Sequence, residues 1–222
     1  MPEIKAKAVI WDMDGVIADT APYHFSAWQE VFRKREVNYT EEDFKRNFGL
    51  RNDTIIRNIL GEQVAQGEID AIAREKEETF RRLAGQKIKP LPGAVELLQS
   101  LKQQGFKMAI ASSTIMENIR LITGTLGIYN CFEAIVTGRD VTEGKPSPQG
   151  FLLAAQRLGV EPRNCVVIED AVAGVAAAKR AGMPCLAITS NHPRQSLAEA
   201  DLIVDTLEAI SINDIEGLLH PP

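Results

Sequence analysis

From residue 88 onward the chain repeats one pattern. A short, nearly continuous apolar run gives way to a segment whose apolar residues fall three and four apart, and a glycine closes that segment. The runs are FKMAIASS at 106–113, EAIVTG at 133–138, CVVIED at 165–170, PCLAITS at 184–190 and DLIVD at 201–205. Between them, helices are predicted over 92–104, 115–126, 148–158 and 171–182, ended by Gly105, Gly127, Gly159 and Gly182. Strands that stay apolar on both faces and alternate with helices dictate a parallel sheet covered on both sides. One further run, KAVIW at 7–11, stands apart from the rest. The stretch between reads as helix only, over 23–35, 41–48, 53–60 and 68–83. Within it, REKEETFRR at 74–82 reads as a solvated, charged face. The expected fold class is therefore α/β. A core built from residues 1–18 and 88–222 carries an inserted α-helical domain at 19–87. A last short helix and a loose end are expected within 212–222.

The first strand ends in two aspartates, Asp12 and Asp14, followed by Gly15. Packing gives no reason for them, because like charges a few ångströms apart repel, and more strongly as water is removed. Open parallel sheets bind ligands at the carboxyl ends of their strands. The polar residues past the other strands are Ser112, Ser113 and Thr114, then Lys145 in GKPSP, then Glu169 and Asp170. Side by side, these strands gather carboxylates, hydroxyls and one ammonium on a single rim. A hard divalent cation such as Mg2+ stabilises such a nest and takes substrate phosphate oxygens as further ligands. A carboxylate beside a metal-bound phosphate can attack phosphorus, and a second one can move the proton. Lys145 and a serine at a helix start suit the phosphate oxygens.

The stretches DMDGVIADT, Ser112, Lys145 in GKPSP, and EDAVAGVAAAKRAGM resemble the four motifs of the haloacid dehalogenase superfamily of phosphotransferases. The resemblance spans nearly the whole chain, including the place of the insert. It implies a Rossmann-like sheet with a mobile cap. It also implies Asp12 as nucleophile and metal ligand, and Asp14 as general acid/base with its backbone carbonyl on Mg2+. Ser112, Ser113 and Lys145 hold phosphate on this reading. Asp170 is a metal ligand, with Glu169 on the metal or just behind it. DTAPYHFSAW resembles the cap entrance of the β-phosphoglucomutase and sugar-phosphate phosphatase branch, which points His24 and Trp28 at the cleft. FGLRNDT resembles that branch's cap loop, which places Gly49, Leu50, Arg51 and Asn52, with Thr114, over the substrate. Arg51 is there as a grip for an anionic or hydroxyl-rich group.

A β-phosphoglucomutase needs a second cationic site for the phosphate that is not transferred. Ile115, Phe48 and Asn52 stand where that branch has two lysines and an arginine. Hydrolysis of a small phosphomonoester, such as a sugar phosphate, is therefore expected ahead of mutase action. A receiver-type signalling domain would be about half as long and lack an insert. A non-catalytic phosphate-binding protein would be expected to lack one of the paired aspartates. The net charge of −5 gives no basic field for nucleic acid or membrane, so the expected partner is a small phosphorylated metabolite. No apolar run reaches the ~18 residues of a membrane span. The N-terminal stretch lacks a signal peptide's long apolar region, which points to the cytoplasm. Cys131, Cys165 and Cys185 are far apart in apolar surroundings and read as buried packing thiols. No apolar interface stripe stands out, so a monomer is expected.

Overall fold

A computed structural model describes residues 6–220; the expected loose end at 221–222, and residues 1–5, lie outside the described residues. Six parallel strands form one sheet: β1 Ala8–Trp11, β2 Lys107–Ala111, β3 Ala134–Val136, β4 Cys165–Glu169, β5 Cys185–Ile188 and β6 Leu202–Val204. Their order is β3-β2-β1-β4-β5-β6. The first strand is thus central, and its register sets Trp11 beside Ile110 of β2 and Ile168 of β4. Strands β1, β4 and β5 are buried along their whole length. Their alternate residues feed two separate cores. Val9, Trp11 and Ile168 pack with Leu97, Leu98 and Ile122 on one face; Ile10, Val167 and Ala109 pack with Phe151, Ala154 and Val175 on the other.

The crossover helices follow the expected spans within two residues. They are α5 Ala94–Gln103, α6 Met116–Thr125, α7 Gln149–Leu158 and α8 Val172–Arg180, and α9 Ile212–Leu219 closes the chain. Helix α9 starts with a reciprocal cap, in which Ser211 accepts from the Asp214 N–H while the Asp214 carboxylate accepts from the Ser211 N–H.

Between β1 and β2 lie α1 Ala21–Arg33, α2 Glu41–Asn47, α3 Asn52–Leu60 and α4 Gln66–Ala84. Helix α1 begins earlier than its apolar period suggests, because Pro22 falls in the first turn, where a missing N–H costs nothing. These helices enclose their own apolar cluster of Trp28, Val31, Phe32, Tyr39, Ile55, Ile56, Ile69 and Ile72. The two segments joining them to the sheet pair with each other: the Asp19 N–H donates to Lys89 O and the Leu91 N–H to Ile17 O, both at 3.0 Å. Beside that crossing, Ala27, Phe80 and Ala84 join the sheet-side core.

One expectation holds only in part. In REKEETFRR, Glu78 and Arg82 are exposed, but Lys76, Glu77, Thr79 and Phe80 are buried. Helix α4 packs against α1, α3 and α6. Solvent still reaches a charged face at Arg74, Glu78 and Arg82, each four residues from the next, while the covered Lys76 and Glu77 pair with each other. Cys165 and Cys185 are buried on neighbouring strands, and Cys131 is half-buried. Among the described residues no helix is long and apolar enough to cross a membrane.

Gly93 and Gly61 differ in what a side chain would meet. Both hold positive φ, +80° and +97°. A methyl group at Gly93 would strike the backbone of Leu207 and Glu208, whereas one at Gly61 would meet nothing within 4 Å. Gly61, with ψ 161°, lies where essentially only glycine goes, so Gly61→Ala should cost about 1–3 kcal/mol from backbone strain alone. Gly93→Ala should cost about 2 kcal/mol or more, because overpacking is added to a left-handed backbone. Denaturant unfolding of the two variants measures both costs.

Candidate active site

The Asp12 N–H still bonds to Ile168 O at 3.0 Å, so Asp12 extends β1 by one residue at the carboxyl rim. The chain then folds back on itself, with the Ile17 and Ala18 N–H groups donating to Met13 O. Gly15 permits this turn with φ +84°. A side chain there would run into the Asp170 carboxylate and Asn191.

Strand β4 delivers Glu169 and Asp170 next to Asp12. Carboxylate oxygens of Asp12, Glu169 and Asp170 lie within 4.8 Å of one another, and all three residues are buried. Lys145 reaches them from the loop after β3. Its Nζ donates to Asp12 Oδ1 at 2.5 Å and to Glu169 Oε1. The other Glu169 oxygen accepts from the Asp170 and Ala171 N–H groups, each at 2.9 Å. Gly174 leaves room for that carboxylate, since any Cβ there would overlap it. Asp170 Oδ2 accepts from Asn191 Nδ2 at 2.7 Å.

Three buried carboxylates thus face one ammonium. Burial pushes Asp12 up to about 7, against the pull of Lys145 and with help from the Glu169 and Asp14 charges. Burial, then Glu169 and Asp12, lift Asp170 well above the usual carboxylate range. Burial works to lower Lys145, but Asp12 and Glu169 hold it above the usual lysine range. The site is short of positive charge, and its donors are all hard oxygens. That set fits a hard divalent cation better than a soft one.

Asp14 lies outside this triad. Its Oδ1 accepts from Thr20 Oγ1 at 2.6 Å and lies 3.0 Å from His24 Nε2. On the far side of the imidazole, Lys76 Nζ is 2.9 Å from Nδ1. An ammonium only donates, so Nδ1 accepts and Nε2 carries the proton toward Asp14. Burial alone would raise Asp14, but His24 and Thr20 hold it below the usual carboxylate range. Its ionised form is favoured.

A narrow cleft joins these groups to the insert. Asp12, Asp14, Ser112, Ser113 and Thr114 line one wall; His24, Trp28, Gly49, Leu50 and Asn52 belong to the other. Trp28 is both a member of the insert's core and part of the cleft wall. The Ser113 hydroxyl is already spent, donating across to Gly49 O at 2.8 Å. Arg51 does not line this cleft; it lines an adjoining cavity with Ser112, Ser113 and Lys145. Its guanidinium is bound to Asp53 and to the Val141 and Thr142 carbonyls.

Besides Thr20 and Asn191, three linked groups of the site, Lys76, Glu77 and Asn118, escaped the sequence reading. Lys76 touches His24 and donates to Glu77 Oε1 at 2.8 Å. Glu77 also accepts from Asn52 at 2.7 Å and from Asn118. Burial would raise Glu77, but Lys76 and His24 hold it down to about 2. A signal was present: in α4 the buried stripe Ile69, Ile72, Lys76, Phe80 keeps the three-and-four spacing with a lysine in it.

Residues 6–182 match the family described as haloacid dehalogenase-like hydrolase. The chain belongs to the haloacid dehalogenase-like hydrolases. It is 35% identical over 222 residues to a β-phosphoglucomutase of Bacillus subtilis, a match covering 96% of this chain and 94% of that protein. It is 36% identical over 177 residues to a fructose-1-phosphate phosphatase of Escherichia coli, covering 79% and 92%. The crystal structure of β-phosphoglucomutase from Clostridium difficile superposes with a TM-score of 0.88 at 28% identity, covering 96% and 97%. Hydrolase membership agrees with the carboxylate rim; the relatives include both a mutase and a phosphatase.

The charge imbalance predicts a pH signature. Folded Asp12 keeps a proton up to about pH 7, whereas the unfolded chain releases it near 3.8, as an ordinary aspartate does. Between those values the native state binds more protons, so stability without metal falls as pH rises. Mg2+ should therefore raise the melting temperature more at about pH 8 than at about pH 5. Thermal unfolding of chelator-treated protein, with and without Mg2+, checks this. An equal gain at both values would contradict it.

Proposed function

We propose that this chain hydrolyses small phosphomonoesters, such as sugar phosphates, through an aspartyl-phosphate on Asp12 with Mg2+ bound. The observation that carries the reading is the unequal treatment of the two aspartates. Asp12 sits among carboxylates under Lys145, while Asp14 is held apart by Thr20 and His24. Two carboxylates in different environments take two different roles.

Asp12, Asp170 and the Asp14 backbone carbonyl would hold the ion. Once bound, it neutralises charge so that a carboxylate can approach a phosphate. Glu169, occupied by Lys145 and two backbone N–H groups, keeps the ammonium in place. Lys145 and Ser112 hold phosphate oxygens. Asp12 attacks phosphorus, the phosphorus–ester bond breaks, and Asp14, which takes up a proton when the phosphate dianion brings negative charge beside it, gives that proton to the leaving oxygen. Asp14 is then the carboxylate that Thr20 and His24 favour. It takes a proton from water as that water attacks the aspartyl-phosphate, which releases phosphate and restores both aspartates.

On this reading the chain divides into a core of residues 1–18 and 88–222 and a cap of 19–87, hinged where residues 17–19 and 89–91 pair. The partner is a small phosphorylated metabolite. The likeness to a β-phosphoglucomutase favours a second reading, phosphoryl transfer between sugars. The cleft's charges speak against it: Lys76 is already paired with Glu77, and Phe48 and Asn52, like Ile115 of a second adjoining cavity, carry no charge. Among the described residues no unpaired cation lines this cleft for a second phosphate dianion, and Arg51, Arg74, Arg81 and Arg139 belong to that second cavity.

Phosphate release from a panel of sugar phosphates tests both readings. Wild type should need Mg2+, and Asp12→Asn should lose about a thousandfold or more in kcat. Equal rates for the two proteins would reject the nucleophile. Efficient conversion of β-glucose 1-phosphate to glucose 6-phosphate, dependent on a bisphosphate, would favour the mutase reading instead.

A further inference from the structure

We infer that Arg51 is a strap tying the insert to the Lys145 loop, and a positioning residue for Lys145, not a ligand of the substrate. The inference rests on the hydrolase reading for its kinetic consequence, and on geometry alone for its structural one.

Arg51 stands at the start of α3, in the insert. Its Nη1 donates to Val141 O at 3.0 Å and Thr142 O at 3.2 Å, about ninety residues away, in the loop from β3 to α7. Its Nε and Nη2 donate to the two oxygens of Asp53, at 3.2 and 3.0 Å. A guanidinium has five N–H donors in one plane. Four are committed here, and Asp53 offsets the charge. Little is left for a phosphate, and Asp53 fixes the plane so that Nη1 meets both carbonyls.

The same side chain lies against the residue before Lys145. A Cβ built on Gly144 would be 2.7 Å from Arg51 Cδ and 3.0 Å from Cγ. The upstream part of the loop is anchored independently: Thr142 and Glu143 N–H groups donate to Gln149 Oε1, and Asp140 ties back to Thr137. The Gly144–Lys145 step lies between that anchor and the Lys145 ion pairs, and Arg51 packs on it. When the insert lies over the sheet, Arg51 thereby fixes the backbone that presents Lys145 to Asp12. When the insert lifts, both carbonyl bonds go to water.

The test compares Arg51→Ala, Arg51→Lys, Gly144→Ala and the double variant Arg51→Ala/Gly144→Ala. Fructose 1-phosphate and fructose 1,6-bisphosphate serve as esters with neutral and anionic leaving groups. A strap predicts that Arg51→Ala lowers kcat by about tenfold or more, equally on both esters. Arg51→Lys should give no rescue, because one ammonium cannot hold Asp53 and both carbonyls. Gly144→Ala should also lose activity alone. The double variant should be no worse than Arg51→Ala, since the methyl fills vacated space and the losses do not multiply. A rise in KM confined to the bisphosphate and restored by Arg51→Lys would overturn the inference, as would multiplying losses. Amide hydrogen exchange without substrate supplies an arm that needs no turnover. Arg51→Ala should speed exchange across residues 140–147, and unchanged protection there would sink the strap. If wild type hydrolyses no ester, the phosphatase reading fails while the exchange result still decides the strap.

Discussion

The arrangement on which this structure turns is the burial of Asp12, Glu169 and Asp170 around one ammonium. Taking charged groups out of water costs several kcal/mol each, and attraction repays that only when geometry and further hydrogen bonds are good. The fold supplies the geometry through register. Because β1 and β4 are adjacent, parallel and end at the same level, Asp12 and Glu169 arrive side by side. Lys145 has further to come, since β3 is separated from β1 by β2. Its loop must cross the end of β2, and so passes over Ser112–Thr114. One charge cluster therefore fixes three chain segments relative to each other.

Asp14 shows how little sequence distance separates two electrostatic regimes. It follows Asp12 by two residues, yet burial wins at Asp12 while Thr20 and His24 win at Asp14. The difference comes from the insert. His24 is on α1, stacked on Phe80 of α4 at 3.9 Å between ring centroids, with Lys76 behind it. Asp14 thus takes its environment from the insert, and Asp12 takes its ammonium from the core.

Legibility in the sequence followed the physics of each feature. The parallel sheet was readable because strands buried on both faces have no polar alternation to hide them. Asp12, Asp14, Lys145 and Asp170 were readable because each follows such a run, where open sheets place their chemistry. Lys76 and Glu77 were not, because eight of the nine residues in REKEETFRR are polar and the run masks the buried stripe beneath. Trp28 belongs to core and cleft at once, because the insert's core is the cleft wall. For Arg51 the residue type pointed to a bidentate partner, which it has in Asp53. Its remaining partners are backbone carbonyls about ninety residues on, and no local pattern encodes those.

Two kinds of contact join insert and sheet. Next to the crossing segments, Ala27, Phe80 and Ala84 are packed apolar residues that share the sheet-side core, and Thr20 and His24 add hydrogen bonds to Asp14. Further out stand hydrogen bonds: Ser113 to Gly49 O, Arg51 to Val141 O and Thr142 O, and Asn118 to Glu77. A hydrogen bond that water can replace contributes only about 1 kcal/mol net. Parting the insert's own apolar cluster would cost about 1.5–3 kcal/mol for each large side chain exposed. Given the proposed hinge at residues 17–19 and 89–91, the low-cost rupture is the outer polar seam, with the insert moving as a unit. The insert's internal core and its apolar foot stay intact, so a substrate can enter and phosphate can leave without unfolding anything that holds Asp12.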